Sequence, residues 1–177
     1  MRHMRIILAL PVLLACMVPA QAANSNVESA LKRAGDLSEF YRLLTETGVL
    51  KELQEDIEYT VFAPTNTALA EIQPRTYPCF YAAECRPQLA AILRNHILPR
   101  KESIRDLSKW GDISTIGERE ILILESYAGQ YTVEDHMVLN QDDNNGVSVY
   151  RIDGIIAGDR EMDQFRAMPS AAPAASE

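Results

Sequence analysis

Tyr59-Thr60-Val61-Phe62-Ala63-Pro64-Thr65-Asn66 is the stretch on which the fold turns. Val61 and Phe62 make a short β-prone run, and Pro64, with no N–H to give a ladder, ends the strand. Thr65 and Asn66 follow, and both carry oxygens that accept from the free N–H groups of a first helical turn. Thr67-Ala68-Leu69-Ala70-Glu71-Ile72 then reads as a short helix. A strand, a fixed corner and a capped helix make a rigid joint. It holds no nucleophile–base pair and no metal cage, so its own residues argue for structure.

Upstream of this joint the periodicity is helical. Asn24 to Ala34 places Val27, Ala30 and Leu31 at i, i+3 and i+4. Asp36 is positioned to cap the next helix, with Glu39 three residues on as in a capping box and Leu37, Phe40, Tyr41 and Leu44 along one face. Gly48 suits the C-terminal cap. Downstream, Gln73 to Arg86 has no simple period and holds Pro74, Pro78, Cys79 and Cys85; it reads as a surface segment with few core contacts. Pro87 opens another helix, in which Leu89, Ile92, Leu93, His96 and Ile97 form one apolar stripe until Pro99. His96 therefore points inward, as a hydrogen-bonded core residue.

Ser103-Ile104-Arg105-Asp106-Leu107 reads as a turn or a short helix start. From there the pattern becomes strand-like: Ile113 to Ile116, Ile121 to Tyr127, Gln130 to Val133, Met137 to Asn140 and Val147 to Ile152. Gly117, Ala128-Gly129 and the run Asp142-Asp143-Asn144-Asn145-Gly146 punctuate them. Helices first and strands after predict an α+β domain.

Three stretches also carry a resemblance. Thr60-Val61-Phe62-Ala63-Pro64-Thr65-Asn66 resembles the first signature of the fasciclin domain family. Asn95-His96-Ile97-Leu98-Pro99 resembles the second, a Tyr-His pair before apolar residues and proline; the histidine is kept and the tyrosine is Asn95. Val149-Tyr150-Arg151-Ile152-Asp153-Gly154-Ile155-Ile156 resembles the closing motif, with Ala157-Gly158 in place of the usual ending in proline. The resemblance covers nearly the whole chain after the leader, roughly residues 26 to 166. It implies N-terminal helices packed on a largely antiparallel, twisted β-sheet wedge. In some animal members the region of the Tyr-His pair is associated with cell adhesion. From the residues themselves, Gly154 reads as a backbone permission and Asp153 as a local acceptor for backbone N–H groups.

The first 22 residues read as a secretory leader: Arg2 and Arg5, an apolar run from Ile6 to Val18, and the small-x-small site Ala20-Gln21-Ala22. A competing reading takes Leu13-Leu14-Ala15-Cys16 as a lipoprotein signal that leaves an acylated Cys16. Neither reading contains a membrane span. Residues 23–166 then form a single domain, and residues 167–177, rich in Ala, Pro and Ser, a disordered tail. In an exported chain Cys79 and Cys85 are a plausible short-loop disulfide; the alternative is two buried thiols. The formal net charge of −8 argues against nucleic acid and anionic membrane partners.

No catalytic constellation is legible. There is no Gly-x-Ser-x-Gly elbow and no phosphate-cradling glycine loop, and neither His96 nor His136 has a partner at metal-ligand spacing. Glu134-Asp135-His136 and Asp142 to Gly146 read as solvated turns. The expectation is therefore a non-enzymatic chain with no cofactor and no metal, secreted or periplasmic. It would act as an interaction module, binding an extracellular or envelope protein or a polysaccharide in adhesion. The alternative is a carrier of a small apolar ligand, which the low aromatic content of 7% disfavours.

Overall fold

The first and closing motifs are adjacent parallel strands at the centre of one sheet. In the computed structural model, which describes residues 24–111 and 113–167, β1 (Tyr59–Pro64) pairs in parallel with β8 (Val147–Ile152), from Tyr59 opposite Val147 to Pro64 opposite Ile152. The leader, Cys16 and residues 168–177 of the tail lie outside the described residues. Around this pair the sheet runs β2-β1-β8-β7-β6-β5, with β2 at Ile97–Leu98, β5 at Ile123–Glu125, β6 at Tyr131–Val133 and β7 at His136–Asn144. Every pairing except β1–β8 is antiparallel. A separate ribbon joins β3 (Ile113–Ser114) to β4 (Glu120–Ile121). The α+β architecture with helices and a curled, mostly antiparallel sheet is the one expected.

The central strands are buried on both faces, which is why they read as continuous apolar runs. Tyr59, Val61, Ala63, Val147 and Val149 face one core, built with α1 (Ser25–Arg33), α2 (Ser38–Glu46), α3 (Val49–Glu52), α4 (Asn66–Ala70) and α5 (Arg86–Arg94). Phe62, Tyr150 and Ile152 face the other, against Ile123 and Val133 of the curled sheet and Ile104 and Leu107 of α6 (Ile104–Leu107). The rings of Phe62 and Tyr150 stack at 5.7 Å between centroids.

Several local expectations give way to tertiary contacts. Asp36 does not cap α2: it lies in a 3₁₀ turn and its carboxylate pairs with Arg151 Nε at 2.8 Å. The cap comes from the opening motif instead, where Asn66 Oδ1 accepts from Glu39 N at 2.9 Å. Thr65 Oγ1 caps its own helix, accepting from Ala68 N at 3.1 Å. Helix α5 stops at Arg94, and Ile97 leaves the predicted stripe to pair, together with Leu98, with Val61 and Thr60. The expected strand Ile121 to Tyr127 is cut at Leu122, so β4 and β5 belong to different sheets. Asp142, Asp143 and Asn144 are in β7 rather than in a turn, and only Asn145 and Gly146 turn the chain. A last helix, α7 (Asp159–Asp163), follows the closing motif and precedes the buried Phe165.

The segment from Gln73 to Arg86 is better anchored than its composition suggests. Cys79, Phe80 and Cys85 are buried, Phe80 packs edge-on against Phe165 at 5.1 Å, and Cys79 N donates to Phe165 O at 3.1 Å. Cys79 and Cys85 are joined as a disulfide with their Cα atoms 5.8 Å apart. A loop this short restricts the unfolded chain by only about 2 kcal/mol. The Cys79→Ala/Cys85→Ala chain is therefore expected to stay folded and to lose about 2–3 kcal/mol in urea denaturation. An unchanged midpoint would show that burial alone holds the segment.

Candidate functional site

The three motifs meet at one buried histidine. His96 O accepts from Phe62 N at 2.8 Å, tying it to the opening motif. Its Nε2 accepts from Ile156 N at 2.9 Å, tying it to the closing motif. That bond requires a bare Nε2, so the proton sits on Nδ1 and is donated to Ile92 O at 3.0 Å. Both ring nitrogens are used, the side chain has no exposure, and Phe40 lies 5.6 Å from the ring. Burial, with lesser contributions from nearby His136 and Arg119, lowers its pKa to about 3 against an opposing pull from the Ile92 carbonyl. The imidazole is neutral and keeps its one proton in the bond to Ile92 O. It is a structural rivet.

Asn95, at the position of the motif tyrosine, is also buried. Its Nδ2 donates to Glu161 Oε1 at 3.3 Å, while Glu161 Oε2 accepts from Arg119 Nη1 at 2.7 Å and from Gly158 N at 2.6 Å. Asn95 thus anchors the first turn of α7 and offers no side chain to a partner. Asp153 Oδ1 accepts from Met137 N at 2.7 Å, and Met137 O accepts from Asp153 N at 3.2 Å. The acceptor role expected of Asp153 is realised, but across the sheet to β7 rather than locally. Gly154 is required for space and not for its backbone angle: a Cβ there would overlap the His136 ring.

The remaining polar groups around His96 are likewise engaged with the fold. His136 Nε2 donates to Ile155 O at 2.8 Å and its Nδ1 stands 4.0 Å from Asp153. Among the described residues no group of three or more His, Cys, Asp or Glu side chains could hold a metal ion. The residues of the expected Asp142–Gly146 turn are absorbed by structure. Asp142 pairs with Arg151 at 2.7 Å, and Asp143 accepts from Ser148 Oγ at 2.7 Å.

What the fold does present is an apolar outer face. In the β5–β6–β7 register Leu124 stands opposite Thr132 and Thr132 opposite Met137, so these side chains share one side of the sheet. Ile123 and Val133 take the other side and are buried. Leu122 continues the row, and Leu139 extends it at the β-bulge of β7. Leu122, Leu124, Met137 and Leu139 are each between 40% and 52% exposed, an uncommon concentration of large aliphatics in solvent. Leu139 also lines a shallow cleft of about 330 Å³ with Thr65, Thr67, Ala68 and Asp153, so the row runs into the opening and closing motifs. Sequence reading had assigned these residues to strands but not to a surface. The alternation Leu122-Ile123-Leu124 was the available signal, because it makes both faces apolar.

The comparisons with known proteins agree with this architecture. A structure of a FAS1 domain pair from the insect cell adhesion molecule Fasciclin I superposes with a TM-score of 0.68 at 17% identity, over 77% of this chain and 52% of that one. Mouse Stabilin-1 is 30% identical over 121 residues, which are 67% of this chain but only 4% of Stabilin-1. The Synechocystis protein sll1735 is 30% identical over 115 residues, 64% of this chain and 83% of the relative. Fasciclin domains occur in extracellular and cell-surface proteins, and no helix among the described residues is long and apolar enough to cross a membrane. The Fasciclin domain signature matches residues 35–157, the span that contains all three motifs around His96, and the chain belongs to the fasciclin domain family.

Proposed function

We propose that this chain is an exported, non-catalytic interaction module. It docks a protein partner outside the cytoplasm, in adhesion, through the outer face of β5–β6–β7. The observation that carries the reading is the row Leu122, Leu124, Met137 and Leu139, exposed on a sheet whose other side is core. A rigid apolar face of this kind suits an interface core, since burying it releases water without ordering flexible side chains far. Family membership supports a binding role, and the buried Asn95 turns attention from the Tyr-His position to this face. Residues 23–166 are the proposed folded unit, released from its leader or held at the surface by an acylated Cys16. Three open clefts are lined chiefly by polar and charged side chains, and the more apolar one beside Leu139 is shallow and continuous with the exposed row, which favours a docking face over a carrier of a small apolar ligand.

The test uses a photo-cross-linking residue at Leu139 of the full chain, expressed in its native source, with exposed Thr45 on α2 as the control position. The expected result is a discrete, protease-sensitive adduct at position 139, absent at 45 and lost when Leu124→Glu and Met137→Glu are added. Those two substitutions are expected to change folding stability by less than about 1 kcal/mol each, because both side chains are about half exposed on the outer face of the sheet. Adducts of equal strength at position 45, or their survival in the double variant, would remove the face from the function.

A further inference from the structure

We infer that the segment from Arg100 to Trp110 is a second recognition surface, built to bind acidic polysaccharide of the uronate type. Trp110 is the only tryptophan in the chain, and it is 50% exposed although it has more to gain from burial than any other residue type. The Arg100 guanidinium lies over its ring, 5.1 Å from the centroid. Within these eleven residues four cations, Arg100, Lys101, Arg105 and Lys109, face two carboxylates, Glu102 and Asp106. The local excess is positive on a chain whose formal net charge is −8.

The cations are not equivalent. Lys101 Nζ donates to Asn144 O at 2.9 Å and lies 3.7 Å from Asp143, and Lys109 pairs with Asp106 at 2.9 Å. Arg100 and Arg105, both exposed, make no ion pair among the described residues. Two guanidinium groups are therefore exposed, Arg100 ahead of α6 and Arg105 in its first turn, on a segment that closes with the indole three residues after the helix.

The mount beneath them is stiff. Thr60 Oγ1 donates to Arg100 O at 2.9 Å and accepts from Glu102 N at 3.1 Å. Tyr150 Oη accepts from Ile104 N at 2.9 Å, Ser103 Oγ caps α6 by accepting from Asp106 N at 3.2 Å, and Trp110 N donates to Leu107 O at 3.1 Å. A preorganised ring and fork lower the ordering cost of binding.

The ligand class follows from what such a pair recognises. A flat, half-exposed indole stacks on the C–H face of a pyranose ring, and a guanidinium takes a carboxylate in its fork. A uronate residue offers both groups on one sugar. An acidic peptide offers the carboxylate without the flat C–H face. The negative field of the remaining chain opposes any polyanion, and it opposes nucleic acid, with its denser phosphate charge, more strongly than a uronate chain.

Trp110 is its own reporter, because no other tryptophan contributes to emission. The full chain is titrated with oligogalacturonate at low ionic strength, with maltooligosaccharide, polyphosphate and polyglutamate as comparisons. The expected result is a saturable change in Trp110 emission with oligogalacturonate alone. Its affinity should fall about tenfold or more in Arg100→Ala and in Arg105→Ala, and fall with added salt. Both variants alter exposed side chains, and unchanged denaturation midpoints would confirm that they fold. No emission change with oligogalacturonate, an equal response to maltooligosaccharide, polyphosphate or polyglutamate, or unaltered affinity in both arginine variants would overturn the assignment. The Leu124→Glu/Met137→Glu chain is expected to keep the full response, so this surface and the sheet face succeed or fail separately.

Discussion

His96→Phe is expected to cost about 2–4 kcal/mol in equilibrium denaturation, the largest single effect of the substitutions considered. The ring volume is kept, but Ile156 N loses its acceptor and the Ile92 carbonyl loses a donor, both in a site without water access. His96→Gln retains one donor and one acceptor on its amide and is expected to recover part of the loss. The same pair of variants separates packing from titration. His96 in the folded chain has its pKa lowered to about 3, against 6.5 when unfolded. Between those values the unfolded chain holds one proton more than the folded chain. Stability therefore falls as pH drops through that window, by about 1.4 kcal/mol per pH unit from this residue. Above pH 6.5 the contribution is complete and the profile from this residue is flat. Urea midpoints measured from pH 7 to pH 4 should show this slope in the native chain and a shallower one in His96→Gln. Parallel profiles would mean that other groups govern acid unfolding.

Gly154→Ala carries the second large effect. A methyl group at Gly154 overlaps the His136 ring, including the carbon that attaches the ring to its Cβ, so a simple rotation of the ring does not clear it. The ring must leave, breaking its bond to Ile155 O and disturbing the paired bonds between Asp153 and Met137. A loss of about 2–3 kcal/mol is expected. Removing the obstacle should remove most of the penalty: His136→Ala/Gly154→Ala is expected to be more stable than the sum of the single losses by about 1 kcal/mol or more. Strict additivity would show that the glycine matters for a reason other than the ring. Because Met137 lies on the apolar outer face, Gly154→Ala is also expected to weaken cross-linking at Leu139, whereas His96→Phe should act on stability alone.

The helical half of this fold was readable because its information is local. Val27, Ala30 and Leu31, then Phe40 and Leu44, lie at helical spacing, and burial follows that spacing in the structure. Gly48 ends α2 with a φ of 82°, which a glycine adopts at little cost. β1 ends at Pro64, although Thr65 N still donates to Ile152 O one residue on, and Thr65 caps the helix that follows. Failures came where a partner distant in sequence offered a better bond. Asp36 had the composition of a cap, but Arg151 on β8 claims its carboxylate and Asn66 supplies the cap from another helix. Ile97 continued a helical stripe in sequence, yet a free strand edge at Val61 drew it into the sheet. Polar residues 142–144 looked like a turn, but their backbone groups pair with β8 whatever their side chains prefer.

The sequence by itself determined most of the order of helices and strands, the inward direction of His96 and the rigid corner at Pro64. Each depends on neighbours within a few residues, where spacing and chemistry are enough. Only the tertiary structure decided that three separate motifs converge on one imidazole and that Gly154 is there to make room for His136. It alone decided that Asn95 is buried while Leu122, Leu124, Met137 and Leu139 are not. Strand register and sheet curvature set which face of an apolar run meets the core. Both arise from pairings between residues far apart in the chain, so they are written in no single stretch of it.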